Sequence, residues 1–489
     1  DYRPRLPGRH AWRLLLRERG GPAVELAAGE VAVSAAADRG FLRRSARAAT
    51  LFARDDGSFA YPIGQNLVQA VDRQQPFPYP FTVPPDQGTY TYDRYFTRMG
   101  DAGMNIARLW MTPWSFGLEG NPSWRDFHGI GRYNLANAWR LDHVFDEAGR
   151  HGIDLLLTIH HQSEFTMDFG SRAWLDSALN RAQGGPLRDP GRFFHEPAVL
   201  EVYRKRMRYL VARWGDRTNL AAWELSGEAN LFPRYDEAAA ARWHQAMIDH
   251  LAAIDPYRHL VFTHTHNWQL GNELWALPGI DVVQGNGYIR PPNRTPDHVR
   301  NFDRYLAEVA GFAKPVLVAE YGGRSEQGAP SGDYLEAQLH SGLWASLVRP
   351  FAGAALHWWW NFVDGADLYP HYRGLTRFAA GIDRLARDYR VADPRLRPDA
   401  GLRAAGMQAA DAGFYWIHDP GIFEAWKDLP ERAGARLVIP GLAPGRYRIE
   451  LWDTRGDGPR ERSEAIVDGE LVIDLPPVRR DLAVKVVPE

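Results

Sequence analysis

The sequence predicts an α/β protein whose central unit is a parallel barrel. Between residues 59 and 391, apolar segments of strand length alternate with amphipathic segments of helix length. This alternation is typical of βα units in a parallel sheet. Eight strand segments can be identified, and eight βα repeats indicate a (β/α)8 TIM barrel. The length of 489 residues leaves room for additional domains beside a barrel of roughly 250 residues.

The predicted barrel strands share short apolar runs bounded by polar or turn residues. They are 59–67, 104–111, 154–161, 220–228, 260–266, 281–289, 315–323 and 353–361. Helical periodicity follows most of them, at 93–103, 137–151, 197–214, 236–254, 297–313, 333–348 and 375–391. The helical periodicity is weak only after the fifth strand, where the short run LGNELWAL stands.

The barrel region is about 80 residues longer than is typical of the fold. The extra length lies in irregular segments that follow strands, at 68–92, 112–136, 162–196, 324–332 and 362–374. Loops after strands lie on the carboxyl face of such a barrel, where active sites are built. The sequence therefore predicts a shaped binding cleft on that face.

Two β-rich regions flank the predicted barrel. The first consists of short alternating stretches broken by glycine turns, and the helical periodicity ends after about residue 395. The later stretches, separated by Gly- and Pro-containing turns, indicate an antiparallel β-sandwich. We therefore divide the chain into a short N-terminal β element at 1–50, a TIM-barrel domain at 51–395 and a C-terminal β-sandwich at 396–489.

The composition excludes several classes of function. The chain has 58 basic and 60 acidic residues and a formal net charge of -2, so it has no electrostatic footprint for nucleic acid or an anionic membrane. It contains no cysteine, which excludes disulfides and thiol nucleophiles. No apolar stretch is long enough for a membrane span. The 18 tryptophans suit flat, amphipathic ligands such as sugars, although core packing explains them equally.

Two glutamates stand at the ends of predicted strands. Glu228 closes the fourth strand, and Glu320 lies near the end of the seventh. They are three βα units apart, at about 31 residues per unit, which places them on opposite sides of one barrel mouth. A carboxylate at the end of an apolar strand is costly unless it is solvated or paired. Two that converge therefore indicate a catalytic pair in preference to cleft salt bridges with arginine.

The motifs around these glutamates resemble those of clan A glycoside hydrolases, close to the family 5 grouping of cellulases and mannanases. The resemblance covers about residues 52–390 and rests on NIARLWM, WELSGEAN, GNGYI, AEYGG and HWWWN in barrel order. Several motifs in the correct order are much more specific than any one alone. The segment before DDGSFAYPIGQN resembles a bacterial subgroup with small flanking β domains. The resemblance implies that Glu228 is the acid/base and Glu320 the nucleophile.

The resemblance also implies substrate-binding side chains on other strands. They are Arg108 on the second strand, His160 or His161 on the third, Tyr288 on the sixth, and Trp358 or Trp360 on the eighth, with Trp360 slightly favoured. Arg108 as a core ion-pair partner and the histidines as buried structural residues remain alternatives. Trp114, beyond the second strand, is a candidate for a sugar-stacking platform or for loop packing.

The sequence departs from the family pattern in two places. The residue before the acid/base is usually an Asn that binds the sugar 2-hydroxyl, but here it is Gly227. The sixth strand usually carries His-x-Tyr, but here Asn286 occupies the first position. Contacts to the 2-hydroxyl strengthen in the transition state. We therefore expect different geometry at C2, a furanose ring, or a replacement contact from Asn230, Asn267 or Asn286.

These features predict a retaining glycoside hydrolase that acts on a poly- or oligosaccharide by double displacement. Glu320 would be held ionised by Arg108 and Tyr288, and Glu228 would start protonated. A non-catalytic carbohydrate-binding protein is the alternative, which Gly227 keeps open. Metal-dependent hydrolysis through the histidines of the third and fifth strands is a third possibility. It is disfavoured because the nearby Asp154 and Asp281 do not lie at the carboxyl ends of their strands.

We expect no cofactor, no metal and no partner other than the carbohydrate. The sequence does not determine the sugar, the linkage, endo or exo action, or the oligomeric state. A chain that opens at Asp1 and acts on a polymer favours a secreted or periplasmic location. A cytoplasmic location would fit an imported oligosaccharide.

Overall fold

The computed structural model describes residues 4, 7–18, 20–34, 39–71, 86–166, 172–289, 295–323 and 331–489. Its strands are β1 (Gly8–Arg17), β2 (Ala23–Val33), β3 (Leu42–Arg44), β4 (Phe52–Arg54), β5 (Phe59–Ala60), β6 (Gly64–Asn66), β7 (Ile106–Trp110), β8 (Asp154–Thr158), β9 (Leu220–Glu224), β10 (Leu260–Phe262), β11 (Val283–Asn286), β12 (Val316–Glu320), β13 (Arg390–Val391), β14 (Arg395–Leu396), β15 (Arg403–Ala409), β16 (Ala412–His418), β17 (Arg436–Pro440), β18 (Gly445–Trp452), β19 (Pro459–Val467), β20 (Glu470–Asp474) and β21 (Asp481–Pro488). Its α-helices are α1 (Thr91–Asp101), α2 (Leu135–Arg150), α3 (Ala173–Asp176), α4 (Pro197–Trp214), α5 (Glu237–Ile254), α6 (Asn272–Ala276), α7 (His298–Glu308), α8 (Gly332–Leu347), α9 (Trp360–Gly365) and α10 (Tyr369–Ala379).

The central strands are parallel and follow the chain order. One sheet has the order β10-β9-β8-β7-β6, and a second pairs β11 with β12. A parallel bridge between Thr265 and Gly285 joins the two sheets on one side. On the other side, His357 bridges to both Tyr321 and Gln65. The predicted α/β class is thus confirmed, and the carboxyl ends of all these strands lie at one edge.

Helices connect the strands, and polar caps fix where several of them begin. Asn134, Asp236, Asp297 and Ser331 each accept a backbone N–H from the first turn of α2, α5, α7 and α8, which satisfies one of the otherwise unpaired donors of a helix start. The helix predicted at 197–214 has those bounds in the structure. The last predicted helix, 375–391, is misplaced, because α10 occupies 369–379.

The predicted range of the eighth strand, 353–361, extends too far. Only His357 makes strand-type bridges, and α9 begins at Trp360. The backbone N–H of Trp358 donates to the Tyr321 carbonyl oxygen at 2.8 Å, and the Trp359 indole donates to the Gly322 carbonyl oxygen at 2.8 Å. The first of these contacts still belongs to the pairing with the seventh strand, and the chain then turns into α9 although its aromatic residues have a high β propensity.

The N-terminal strands form two separate sheets. β1 and β2 make an antiparallel hairpin, and β3, β4 and β5 form a small antiparallel sheet. Leu42 and Phe52 of the latter pack with apolar side chains from the parallel strands, including Ile106 and Phe262. This sheet continues past residue 50, where the first domain limit was predicted. The limits 1–50, 51–395 and 396–489 otherwise remain predictions.

The C-terminal region contains two antiparallel sheets. The larger has the order β13-β15-β16-β21-β18-β19, and the smaller has the order β14-β17-β20. Side chains from both, such as Ile417 and Leu437, share one hydrophobic cluster. Trp416 and Trp452 belong instead to the large cluster of the barrel. Within the ranges given above, no helix is both long and apolar enough to cross a membrane.

Candidate active site

Arg108 on β7 is the centre of the charged network at the carboxyl ends of the strands. Its side chain is completely buried. Nε and Nη2 donate to the two carboxylate oxygens of Glu224 at 2.8 and 2.6 Å. Nη1 donates to Glu320 Oε1 at 2.7 Å and to Asn66 Oδ1 at 3.0 Å. Arg108 therefore acts both as a core ion-pair partner and as the group that holds Glu320.

Glu224 and Asn66 were not identified from the sequence. Glu224 ends β9, four residues before Glu228, and has no solvent exposure. The sequence does contain one indication of the role of Glu224. It is a charged residue at the end of the apolar run LAAWE, and a buried charge needs a partner. Only the three-dimensional structure shows that this partner is Arg108, on β7.

Glu228 lies at the turn that follows β9, where the chain takes an unusual conformation. Its φ of 50° and ψ of 48° are left-handed, which is uncommon and strained for a residue with a side chain. The backbone N–H of Glu228 donates to His264 Nδ1 at 3.2 Å. The buried carboxylate is within hydrogen-bond distance of His266 Nδ1 at 2.7 Å, Asn286 Nδ2 at 2.9 Å and Gln162 Nε2 at 3.2 Å.

The protonation of His264 can be inferred from its partners. Its Nδ1 faces the backbone N–H of Glu228 and Nη2 of Arg108 at 3.2 Å, and both of these groups only donate. Burial, with Arg108 nearby, keeps the pKa of His264 well below its usual range. The neutral ring therefore carries its proton on Nε2 and donates to Asn286 Oδ1 at 2.6 Å. This fixes the amide of Asn286, whose Nδ2 must then donate to Glu228.

Asn286 also connects the two glutamates through the strand register. It pairs with Glu320 across β11 and β12, while its side chain reaches Glu228. Tyr288, two residues further along, donates its hydroxyl to Glu320 Oε2 at 3.3 Å. Glu228, Glu320, Arg108, Asn286 and Tyr288 therefore lie together, as the sequence predicted.

The two glutamates influence each other's ionisation. Burial raises the pKa of Glu320 to about 7, with Arg108 opposing the rise and the charge of Glu228 adding to it. Burial also raises the pKa of Glu228, but the net shift is downward, and the hydrogen bond from His266 is the largest contribution that lowers it. These directions favour a proton on Glu320 over one on Glu228. This is the reverse of the resting state expected from the sequence.

The two histidines of the third strand occupy different environments. His160 is fully buried, its ring is surrounded by aromatic side chains, and its Nε2 is 2.7 Å from Ser226 Oγ. It therefore packs in the interior and is not placed to bind substrate. His161 lies in the site, with Nε2 3.6 Å from Glu228 Oε2.

The tryptophans after the eighth strand position are also distinct. Trp360 is 1% exposed within α9, so the slight preference for it as a sugar platform was wrong. The period of two that was assumed for a strand does not hold in a helix. Trp358 is half-buried and lies 5.4 Å from Trp110, between ring centroids. Trp110 in turn stacks on His161 at 3.7 Å, so Trp358 borders the site.

Two other expected residues do not join this group. Trp114 lines a surface cavity of about 660 Å³ with Tyr90 and Trp139, and none of the residues that line it belongs to the Arg108 network. Asn267 accepts the Leu270 backbone N–H at 3.1 Å, so its amide shapes the loop after β10. Among the residues whose placement is described, no group of three or more His, Asp or Glu side chains is arranged to hold a metal ion.

A buried, coupled pair of carboxylates at the carboxyl ends of parallel strands is the arrangement that glycosidic cleavage requires. Comparisons with known proteins agree with this class. No protein-family model matches the chain. Mannan endo-1,4-beta-mannosidase 1 of Oryza sativa is 26% identical over 306 residues, covering 55% of this chain and 68% of the relative. Mannan endo-1,4-beta-mannosidase 7 of Arabidopsis thaliana is 24% identical, covering 56% and 69%.

Solved structures show the same fold over most of the chain. A glycoside hydrolase matches with a TM-score of 0.61 and 14% identity, covering 92% of this chain and 97% of that one. A family 5 glycoside hydrolase from Bacteroides vulgatus matches with a TM-score of 0.60 and 12% identity, covering 92% and 94%. The resemblance seen in the sequence is thus confirmed. In sequence and in fold, the chain is similar to clan A, family 5-like glycoside hydrolases.

Replacement of Arg108 tests how far the fold depends on this network. We expect Arg108→Met to lower the free energy of unfolding at pH 7 by about 3–5 kcal/mol, because it leaves two buried carboxylates without a counter-charge. Adding Glu224→Gln should recover part of that loss. The measurement is urea unfolding, with exposed Arg390→Met as the control, expected within about 0.5 kcal/mol of the parent. A loss below about 1 kcal/mol for Arg108→Met would contradict the assigned role.

Proposed function

We propose that the chain hydrolyses O-glycosidic bonds of a poly- or oligosaccharide with retention of configuration. Glu320 is the nucleophile and Glu228 the acid/base. The proposal treats the parallel strands as one closed (β/α)8 barrel with a C-terminal β-sandwich. The observation that carries it is the linkage of the two glutamates: Asn286 neighbours Glu320 in the strand register and hydrogen-bonds to Glu228, while Arg108 holds Glu320 at 2.7 Å.

The reaction divides into two displacements. In the first, a carboxylate oxygen of Glu320 forms a bond to the anomeric carbon as the glycosidic C–O bond breaks, and the proton of Glu228 goes to the leaving oxygen. In the second, Glu228 takes a proton from water, the water oxygen bonds to the anomeric carbon, and the ester to Glu320 breaks. Asn286 and His266 hold Glu228 in place through both steps.

The proton of the pair must move to Glu228 before the first step. In the unliganded protein Glu320 is the favoured position of this proton, because Glu228 accepts several hydrogen bonds. A sugar bound between the two changes this balance: the glycosidic oxygen accepts a proton from Glu228, and positive charge developing at the anomeric carbon favours ionised Glu320. The pair titrates as a unit, so its singly protonated form is the active one.

We propose β-1,4-linked mannan as the first substrate to examine. The support is that the relatives described above are mannan endo-1,4-beta-mannosidases, at 24–26% identity over about half of this chain. We also propose a location outside the cytoplasm, because a polymer must be cut before its fragments enter a cell.

Conservative replacements of the two glutamates test the proposal. We expect Glu228→Gln and Glu320→Gln each to lower kcat on β-1,4-mannan by roughly three orders of magnitude, because each removes a group that acts in the transition state. The exposed Glu431→Gln is the matched control and should keep the activity of the parent. Proton NMR of the first product formed should show the anomer of the substrate. Inverted product, or a parent protein that binds mannan or another glycan without cutting it, would contradict the proposal; the latter is expected of a carbohydrate-binding protein.

The pH dependence of the parent enzyme tests the shared proton. The pKa of about 7 for Glu320 belongs to the loss of the pair's last proton, after which Glu228 has none to donate. We therefore expect kcat/KM on mannan to fall about tenfold per pH unit above pH 7. A dinitrophenyl glycoside, whose leaving group needs little protonation, should lose less. A profile for mannan that stays flat to pH 9 would contradict this assignment.

A further inference from the structure

Arg384, which follows α10, carries a buried positive charge. The residue is only 9% exposed, and a guanidinium stays protonated at any physiological pH. Its Nη1 donates to the Phe351 carbonyl oxygen at 2.5 Å. This is the one hydrogen bond of the guanidinium to the part of the chain that the structure describes. A carbonyl oxygen carries only a partial charge, so the contact does not neutralise the arginine.

No carboxylate offsets this charge among the residues whose placement is described. Three other buried arginines, Arg108, Arg206 and Arg349, each form ion pairs with Glu or Asp side chains. The charge of Arg384 instead lies near Tyr61. Burial raises the pKa of that phenol above its usual value, so the phenol is neutral and supplies no negative charge. Burial of a charge without a counter-charge is costly.

Arg384 lines a surface cavity of about 350 Å³. Three parts of the fold meet there: Leu51 precedes β4 of the N-terminal sheet, Pro350 follows α8, and Met407 belongs to β15 of the C-terminal region. A cavity of this volume is large enough for a small ligand. The cavity therefore gives a solute access to a guanidinium that is otherwise enclosed by protein.

Two further arginines line the cavity, and both are already paired. Arg387 Nε donates to the two carboxylate oxygens of Asp411 at 3.0 and 3.1 Å. Arg390 Nη2 donates to Asp388 Oδ2 at 2.8 Å, so the carboxylate of Asp388, which also lines the cavity, is engaged as well. These pairs offset one another, and among the described lining residues Arg384 is the charge that remains.

We infer that this cavity is a binding site for a small oxyanion, which Arg384 holds. With Nη1 on Phe351, Nε and Nη2 remain as one edge of the guanidinium. Two parallel donors of this kind match the oxygens of a carboxylate, a phosphate or a sulfate. The ligand is therefore an inorganic oxyanion or the carboxylate of an acidic sugar. None of the described residues that line the cavity belongs to the Arg108 network, so the site is separate from the glutamate pair.

Thermal unfolding of the whole chain tests the site. At constant ionic strength, exchange of chloride for about 20 mM phosphate, sulfate or glucuronate should raise the unfolding midpoint of the parent about 2 °C more than that of Arg384→Met. The difference between the two proteins removes the general effect of such salts on stability. Arg300→Met, at an exposed position of α7, is the control and should respond as the parent does.

The three anions also distinguish the sources of the ligand. A response only to phosphate or sulfate indicates an inorganic oxyanion, and a response only to glucuronate indicates an acidic sugar. A response to all three supports the oxyanion chemistry that they share.

In chloride alone, the same variant distinguishes a ligand site from a structural role. Methionine removes a buried charge that has no counter-charge in the described residues, so Arg384→Met should unfold within about 3 °C of the parent. A larger loss of stability would show that the charge is already compensated within the protein and would overturn the inference.

Isothermal titration calorimetry on the parent gives a measurement that does not require a variant to fold. We expect at least one of the three anions to bind at one site per chain. Arg384→Lys, which keeps the charge but not the paired donors, should bind it about tenfold more weakly. The inference is also overturned if none of the three anions binds to the parent, or if the unfolding midpoints of the parent and Arg384→Met rise equally.

Discussion

The site depends on one buried guanidinium shared by two carboxylates. Arg108 makes two hydrogen bonds to Glu224 and one to Glu320, all without solvent exposure of the arginine. One positive charge cannot neutralise two buried negative charges, so the second carboxylate is costly to ionise. Glu224 has the better geometry, and the cost appears at Glu320 as a raised pKa. The network thus orients Glu320 and favours its protonated form.

A chain of hydrogen bonds through neutral side chains links Arg108 to Glu228. Arg108 and the backbone of Glu228 occupy one nitrogen of His264, which forces the other nitrogen to donate to Asn286, and the amide of Asn286 then faces Glu228. The left-handed backbone of Glu228 is part of this arrangement, since its N–H is one of the groups that fix this chain of hydrogen bonds. Strain at such a position is typical of residues that the surrounding structure holds for function.

The sequence predicted the site where strand order alone decides position. Counting βα units was enough to place Glu228 and Glu320 at one end of the parallel strands, whereas Arg108 and Tyr288 were implied by the family resemblance. The prediction of site residues failed where it required knowledge of the local backbone conformation. His160 was a candidate from the family resemblance, but its ring packs among aromatic side chains. Trp360 was favoured as part of a strand, but it begins a helix. Glu224 was missed because its partner lies on another strand.

Gly227 shows a different limit of the sequence. The departure from the family pattern was visible, but its consequence was sought among nearby asparagines. The structure relates it instead to His161, on the neighbouring strand, through a steric contact that no spacing rule contains. A steric contact of this kind is visible only in the three-dimensional structure, because neither Gly227 nor His161 is unusual when its position in the sequence is considered alone.

Direct trapping of the covalent intermediate tests the central claim that Glu320 bonds to the sugar while Glu228 moves the proton. The parent enzyme would be incubated with a 2-deoxy-2-fluoro-mannosyl fluoride, which slows the second displacement, and its peptides analysed by mass spectrometry. The account predicts one glycosyl ester, on Glu320, whose formation is lost in Glu320→Gln. An ester on any other residue, or inactivation that persists in Glu320→Gln, would contradict it.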